Sequence, residues 1–251
     1  MLAGCAFCAI QTVLPIEPQD YLIFHPRRTH YRATGTALVR GVLVTPWTGR
    51  VWTEPCNPAR NEDPFVWRKQ WLYSYCHATQ LRRFARDGPR VTAGSKLFFC
   101  ETAAGRNGVL RIDTVFVVER GYLWNSKGRQ LPTRFAHVEQ HQDSPEWIRH
   151  FRHGVVGSGG DDAHNGVMTY TASRDRTAGS FLPLNEDNNP VEVAAASVLG
   201  RASRAKLRAS LPSRRTTRPV PLVPGEGRFL YDSVRGAAHS LVLQVSKQRR
   251  E

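Results

Sequence analysis

Residues 97–118 read LFFCETAAGRNGVLRIDTVFVV. Two apolar runs rich in Phe, Val and Ile flank small and polar residues that end in Gly105, Arg106, Asn107 and Gly108. β-Branched and aromatic side chains suit a pleated, packed surface, whereas Gly and Asn accept the backbone angles that a chain reversal needs. A structural β-hairpin over about residues 96–118 is therefore expected, with a turn at Gly105–Gly108. Asp113 interrupts the second run between Ile112 and Thr114, and a carboxylate in such a strand must be paired or solvated. A bond to nearby backbone or to Arg111 competes with a functional reading of it.

Upstream, YLIFHPRRTHYRATGTALVRGVLVTPWTGRVWT (21–53) holds β-favouring runs broken by Pro and Gly, which predict two or three strands. PCNPARNED (55–63) reads as a loop, and a further strand is expected to begin at Trp71. In ATQLRRFARDGPR, Leu81, Phe84 and Ala85 stand at i, i+3 and i+4 before Asp-Gly-Pro, the pattern of a short amphipathic helix. Downstream, Ser144, Pro145 and Glu146 are start signals for a short helix to His153. GVMTYTAS and SFLPL read as strands. From Val191 the composition turns basic: VEVAAASVLGRASRAKLRASL predicts a basic helix interrupted by Gly200, PSRRTTRPVPLVPGEG a Pro- and Arg-rich linker, and SLVLQVS a closing strand. The expected division is a core of residues 1–190 with an N-terminal β extension, followed by a basic extension of residues 191–251.

At 251 residues, 41% of them hydrophobic and six of them Trp, the chain has enough apolar material for a packed core without disulfides or metal. No run approaches the roughly 20 apolar residues that span a bilayer, and the opening lacks the basic start of a signal peptide. Five Cys at irregular spacing suit reduced thiols, so a cytoplasmic location is expected. The formal charge is +14, and residues 201–251 hold twelve Lys or Arg against three acidic residues. An excess of this size favours encounters with polyanions, nucleic acid first and acidic membrane surfaces second.

Patterns for catalysis are incomplete. Cys5 and Cys8 make half of a zinc site, with no second closely spaced pair to complete it, and no metal or cofactor is expected. HVEQH is not HExxH, Cys76 and His77 point to opposite faces if they lie on a strand, and GVVGSGGDD lacks the Lys of a phosphate-binding loop. What remains is aromatic residues among basic ones: Trp67, Arg68, Lys69, Trp71, Tyr73 and Tyr75, then Arg82, Arg83 and Arg86. Rings stack on bases while cations meet phosphates, although burial in a core would explain several of the same aromatics. Arg82, Arg83, Arg204, Arg208, Arg214 and Arg215 are the candidate phosphate contacts.

The succession WLYSYCHATQLRRF, VTAGSKLFFC and VLRIDTVFVV resembles PUA-like domains of the EVE and ASCH type, and more closely the nucleotide-modification-associated domains of bacteria and phages. This chain has GSKLFF where an acidic residue after Gly is commoner. The resemblance spans roughly residues 70–185. It implies an α+β fold, a small curved PUA-like β-barrel flanked by short helices, here with a basic C-terminal extension. It also implies a cleft for a nucleobase, often a modified one, in nucleic acid or a nucleotide, with no membrane partner. By position it points to Tyr73, Tyr75, Cys76, Thr79, Asp113 and Thr114; Trp71, His153 and His164 complete the candidate ligand-binding set. Non-catalytic recognition is the leading expectation. The alternatives are an enzyme acting on nucleotides or nucleic acid through the His137–His164 region, and an interaction module of a mobile-element or defence system.

Overall fold

The computed structural model describes residues 18–25, 36–39, 42–44, 64, 66, 71–74, 81, 91–123, 168–187, 189–211 and 219–243. The first run of the expected hairpin becomes β5 (Lys96–Glu101), and the second becomes the fifteen-residue β6 (Val109–Leu123). They pair antiparallel, from Lys96 opposite Val117 to Phe99 opposite Thr114. The connection is not a simple turn. Thr102–Arg106 winds into a short helix, α1, before Asn107 and Gly108 reverse the chain. Ala103 and Ala104 favour that winding, and Gly108 closes it with φ +75°, a left-handed angle that suits glycine.

Around this pair the described strands are β1 (Tyr21–His25), β2 (Thr36–Val39), β3 (Val42–Val44), β4 (Leu72–Ser74), β7 (Met168–Ala172), β8 (Phe181–Leu184), β9 (Val191–Ala194), β10 (Val220–Pro221) and β11 (Ser240–Leu243). Six of them join β5 and β6 in one hydrogen-bonded path, β10-β1-β5-β6-β8-β11-β2-β3. β9 and β7 pair with opposite ends of β6, and β4 joins β7. The sheet is mixed, because β1 runs parallel to β5 while the other described pairs are antiparallel. Among the described residues the path does not return on itself, so the architecture is α+β with an open mixed sheet and short helices.

Pleating gives the sheet two faces. Leu22, Phe24, Phe98, Cys100, Ile112, Val115, Val117 and Phe181 share one, where they pack in a core with helices α2 (Ala195–Val198), α3 (Arg201–Ser210) and α4 (Glu226–Ala237). The other face carries Ile23, His25, Leu97, Phe99, Thr114 and Phe116 and is also buried.

Two expectations for the C-terminal region are corrected. Val191–Ala194 is strand, not the start of a helix: Val191 and Val193 alternate with Glu192, which meets Arg111 across the β6–β9 pair at 3.2 Å. The expected linker contains β10, and its last two residues, Glu226 and Gly227, open α4, whose later Leu230, Tyr231 and Val234 are buried against the sheet. Residue 190 marks no break in the sheet, since β9, β10 and β11 all belong to it. The closing strand expected in SLVLQVS is β11, which lies between β8 and β2.

Candidate functional site

The pairing of β5 with β6 slips by one residue after Phe99: Phe99 faces Thr114, yet Cys100 faces Ile112. Asp113 is the extra residue, in a β-bulge, and such bulges re-aim side chains. Asp113 stands beside Thr114, whose hydroxyl donates to Oδ1 over 2.8 Å. Its other oxygen, Oδ2, lies 2.9 Å from His25 Nε2, at ion-pair distance. His25 closes β1, and its carbonyl accepts a 2.9 Å hydrogen bond from the Thr102 hydroxyl at the start of α1. His25, Asp113 and Thr114 are all buried.

Aromatic rings stand next to this polar group. The His25 ring centroid is 6.4 Å from that of Phe99. Phe99 takes the edge of Tyr73 at 5.0 Å, and Tyr73 lies 6.3 Å from Phe116 and stacks 6.2 Å from Tyr170. Tyr73 and Tyr170 are direct cross-strand partners in the β4–β7 pair, so the strand register sets that stack. From the opposite face of the sheet, Cys100 adds only a small apolar volume. Burial, and secondarily the Asp113 charge, push its thiol well above the usual thiol range, which keeps it a neutral core residue.

The residues expected from the sequence are distributed unevenly. Asp113, Thr114 and Tyr73 come together around Phe99. Trp71 and Tyr73 are fully buried, so in this structure they are walls of the packed interior and not open stacking platforms. Arg204 and Arg208 lie on α3, which packs on the other face of the sheet. Tyr75, Cys76, Thr79, Arg82, Arg83, His153, His164, Arg214 and Arg215 lie outside the described residues, as do Cys5, Cys8 and the His137–His164 region. Among the described residues no cluster of three or more His, Cys, Asp or Glu could hold a metal ion. No helix among them is long and apolar enough to cross a membrane.

His25 is the member that sequence reasoning missed. Its signal is modest: a His ending the apolar run YLIF immediately before Pro26. Together the group offers a carboxylate, an imidazole and a hydroxyl held side by side against π faces. This is a combination suited to orienting the polar edge of a flat heteroaromatic ligand. Comparison of the chain with family models, curated proteins and solved structures yields no match.

Proposed function

We propose that this protein recognises a nucleobase, in a nucleotide or in nucleic acid, through the sheet face that carries His25, Asp113 and Thr114, and that the surrounding strands form a PUA-like, barrel-related cradle. One observation carries the reading: a bulge sets a carboxylate between an imidazole and a hydroxyl, directly beside a cluster of four aromatic rings. Base edges present fixed patterns of donors and acceptors, which a carboxylate, an imidazole and a hydroxyl side by side can complement. The excess of positive charge in the chain agrees with a phosphate-bearing ligand.

The test is a binding screen of free nucleotides and of modified and unmodified oligonucleotides, run on the wild-type protein and on Asp113→Asn. Replacing the carboxylate by an amide changes an acceptor into a mixed donor and acceptor, so the preferred base is expected to change or selectivity to fall. Absence of any base preference in the wild-type protein, or the same preference in a folded Asp113→Asn variant, overturns the reading.

A further inference from the structure

Helix α3 (RASRAKLRAS) holds Arg201, Arg204, Lys206 and Arg208 and no acidic residue. Ser203, Leu207 and the following Leu211 are buried, which fixes the helix on the sheet. Arg201, Lys206 and Arg208 are exposed, and Arg204 is half-buried. None of the four makes an ion pair among the described residues, and the buried Nε of Arg204 has no hydrogen-bond partner there. Three cations elsewhere have acidic partners: Arg111 with Glu101 and Glu192, Lys96 with Asp20, and Arg228 with Asp232.

The acidic residue that meets α3 bonds its backbone and Ser203 instead of its cations. Glu226, at the start of α4, accepts from the Gly200 N–H at 2.7 Å, from the Ser203 hydroxyl, and from the Val223 N–H at 2.9 Å. Both of its oxygens are committed to the helix start and the preceding turn. Arg201, Lys206 and Arg208 are thus exposed without an acidic partner among the described residues.

We infer that α3 is a phosphate-binding surface for a polynucleotide backbone, separate from the base-reading face. Arg201, Arg204 and Arg208, at i, i+3 and i+7, make one stripe that runs about 10 Å along the helix axis. A row of cations over that length suits a chain of phosphates better than a single phosphate group. The helix also has an orientation. Its start is tied to Glu226 of α4, and Gly227 of that helix lies against Asp20, just ahead of β1. Past its other end, Leu211 approaches Gly105 of α1 and, through it, Phe24 next to His25. The stripe thus lies on the face opposite His25 and Asp113, with its Arg208 end towards the same end of β1. The inference rests on the preceding reading only in taking nucleic acid as the polyanion.

The experiment titrates the full chain and an R201Q/R204Q/R208Q variant with a fluorescein-labelled single-stranded DNA of mixed sequence, and with the same sequence as RNA, between about 50 and 200 mM salt. Phosphatidylserine-containing vesicles form a parallel arm. Each lost contact with a single strand lowers the slope of log affinity against log salt by about 0.7, so a fall of about 2 is expected. An unchanged slope in the folded variant overturns the proposal. So does a variant that loses vesicle binding while its oligonucleotide slope stays the same, because that assigns the stripe to lipid. Should the triple variant not fold, R208E alone, at an exposed position, is expected to lower the slope, and no change there overturns the proposal equally. Free nucleotides titrated against Asp113→Asn report on the other face alone, so failure of one reading is distinguishable from failure of the other.

Discussion

The Asp20 carboxylate rests against the backbone of Gly227, in a space that a Cβ on Gly227 would overlap. Asp20 also accepts the Lys96 N–H at 2.6 Å, so one side chain joins the approach to β1, the start of β5 and the first turn of α4. The close approach of α4 to the sheet depends on the absence of a side chain at residue 227.

Gly227→Ala is expected to destabilise the fold by about 1–3 kcal/mol, the usual cost of forcing extra volume into a packed site. Urea unfolding measures it. In an Asp20→Gly background the same substitution should cost much less, because the obstructing side chain, including its Cβ, is gone. Equal costs in the two backgrounds would show that the contact does not set the helix position.

Burial raises the Asp20 carboxyl above its ordinary value, and the Lys96 N–H and charge only partly offset that rise. The folded state therefore holds this proton to higher pH than the unfolded chain does. The Asp20 contribution to stability is largest below the unfolded value and declines as pH rises through the raised native value. Asp20→Asn keeps an acceptor for Lys96 without the charge, so its stability relative to wild type should improve as pH increases across that window. Unfolding curves on either side of the window check the sign; a gap that closes in the opposite direction contradicts the assignment.

Glu226→Ala should cost about 1–3 kcal/mol, since it leaves the Gly200 and Val223 N–H groups and the Ser203 hydroxyl without their shared acceptor. Ser203→Ala removes only one of those bonds and should cost less. The two substitutions together should fall short of the sum of their separate costs, as measured by a double-mutant cycle in chemical denaturation.

Phe99 is buried where β1, β5 and the aromatic cluster meet. Phe99→Ala is expected to lose about 3–5 kcal/mol through the cavity it opens, and Phe99→Leu distinctly less. Thermal unfolding of both variants tests the order; equal losses would point to a role other than filling volume.

The hairpin was legible because Leu97–Cys100 and Val109–Val118 combine β-forming residues with a Gly-containing reversal, a pattern that local preference and burial both favour. Helix α4 was not. Gly225, Glu226 and Gly227 resemble a turn, and Phe229, 56% exposed, blurs the apolar stripe of Leu230, Tyr231 and Val234. Only the contact with Asp20, over two hundred residues away in sequence, explains why the second residue of that helix is a glycine. At the candidate site, Asp113 stood out as a carboxylate in an apolar run, but its slip in register and its approach to His25 depend on strands joined across the sheet. Trp71 and Tyr73 carry the composition of a binding surface and the burial of a core, and composition alone does not separate the two.

β11 inserts between β8 and β2, and β10 flanks β1, so strands from the beginning and end of the described chain are neighbours in one sheet. During synthesis β1 and β2 emerge from the ribosome long before those partners exist. They must wait with open edges until residue 243 has cleared the exit tunnel. Local pairs such as β5 with β6 can form early, but completion of the sheet waits for β10 and β11. Until then the edges of β1 and β2 that later take β10 and β11 are open to pairing with another chain.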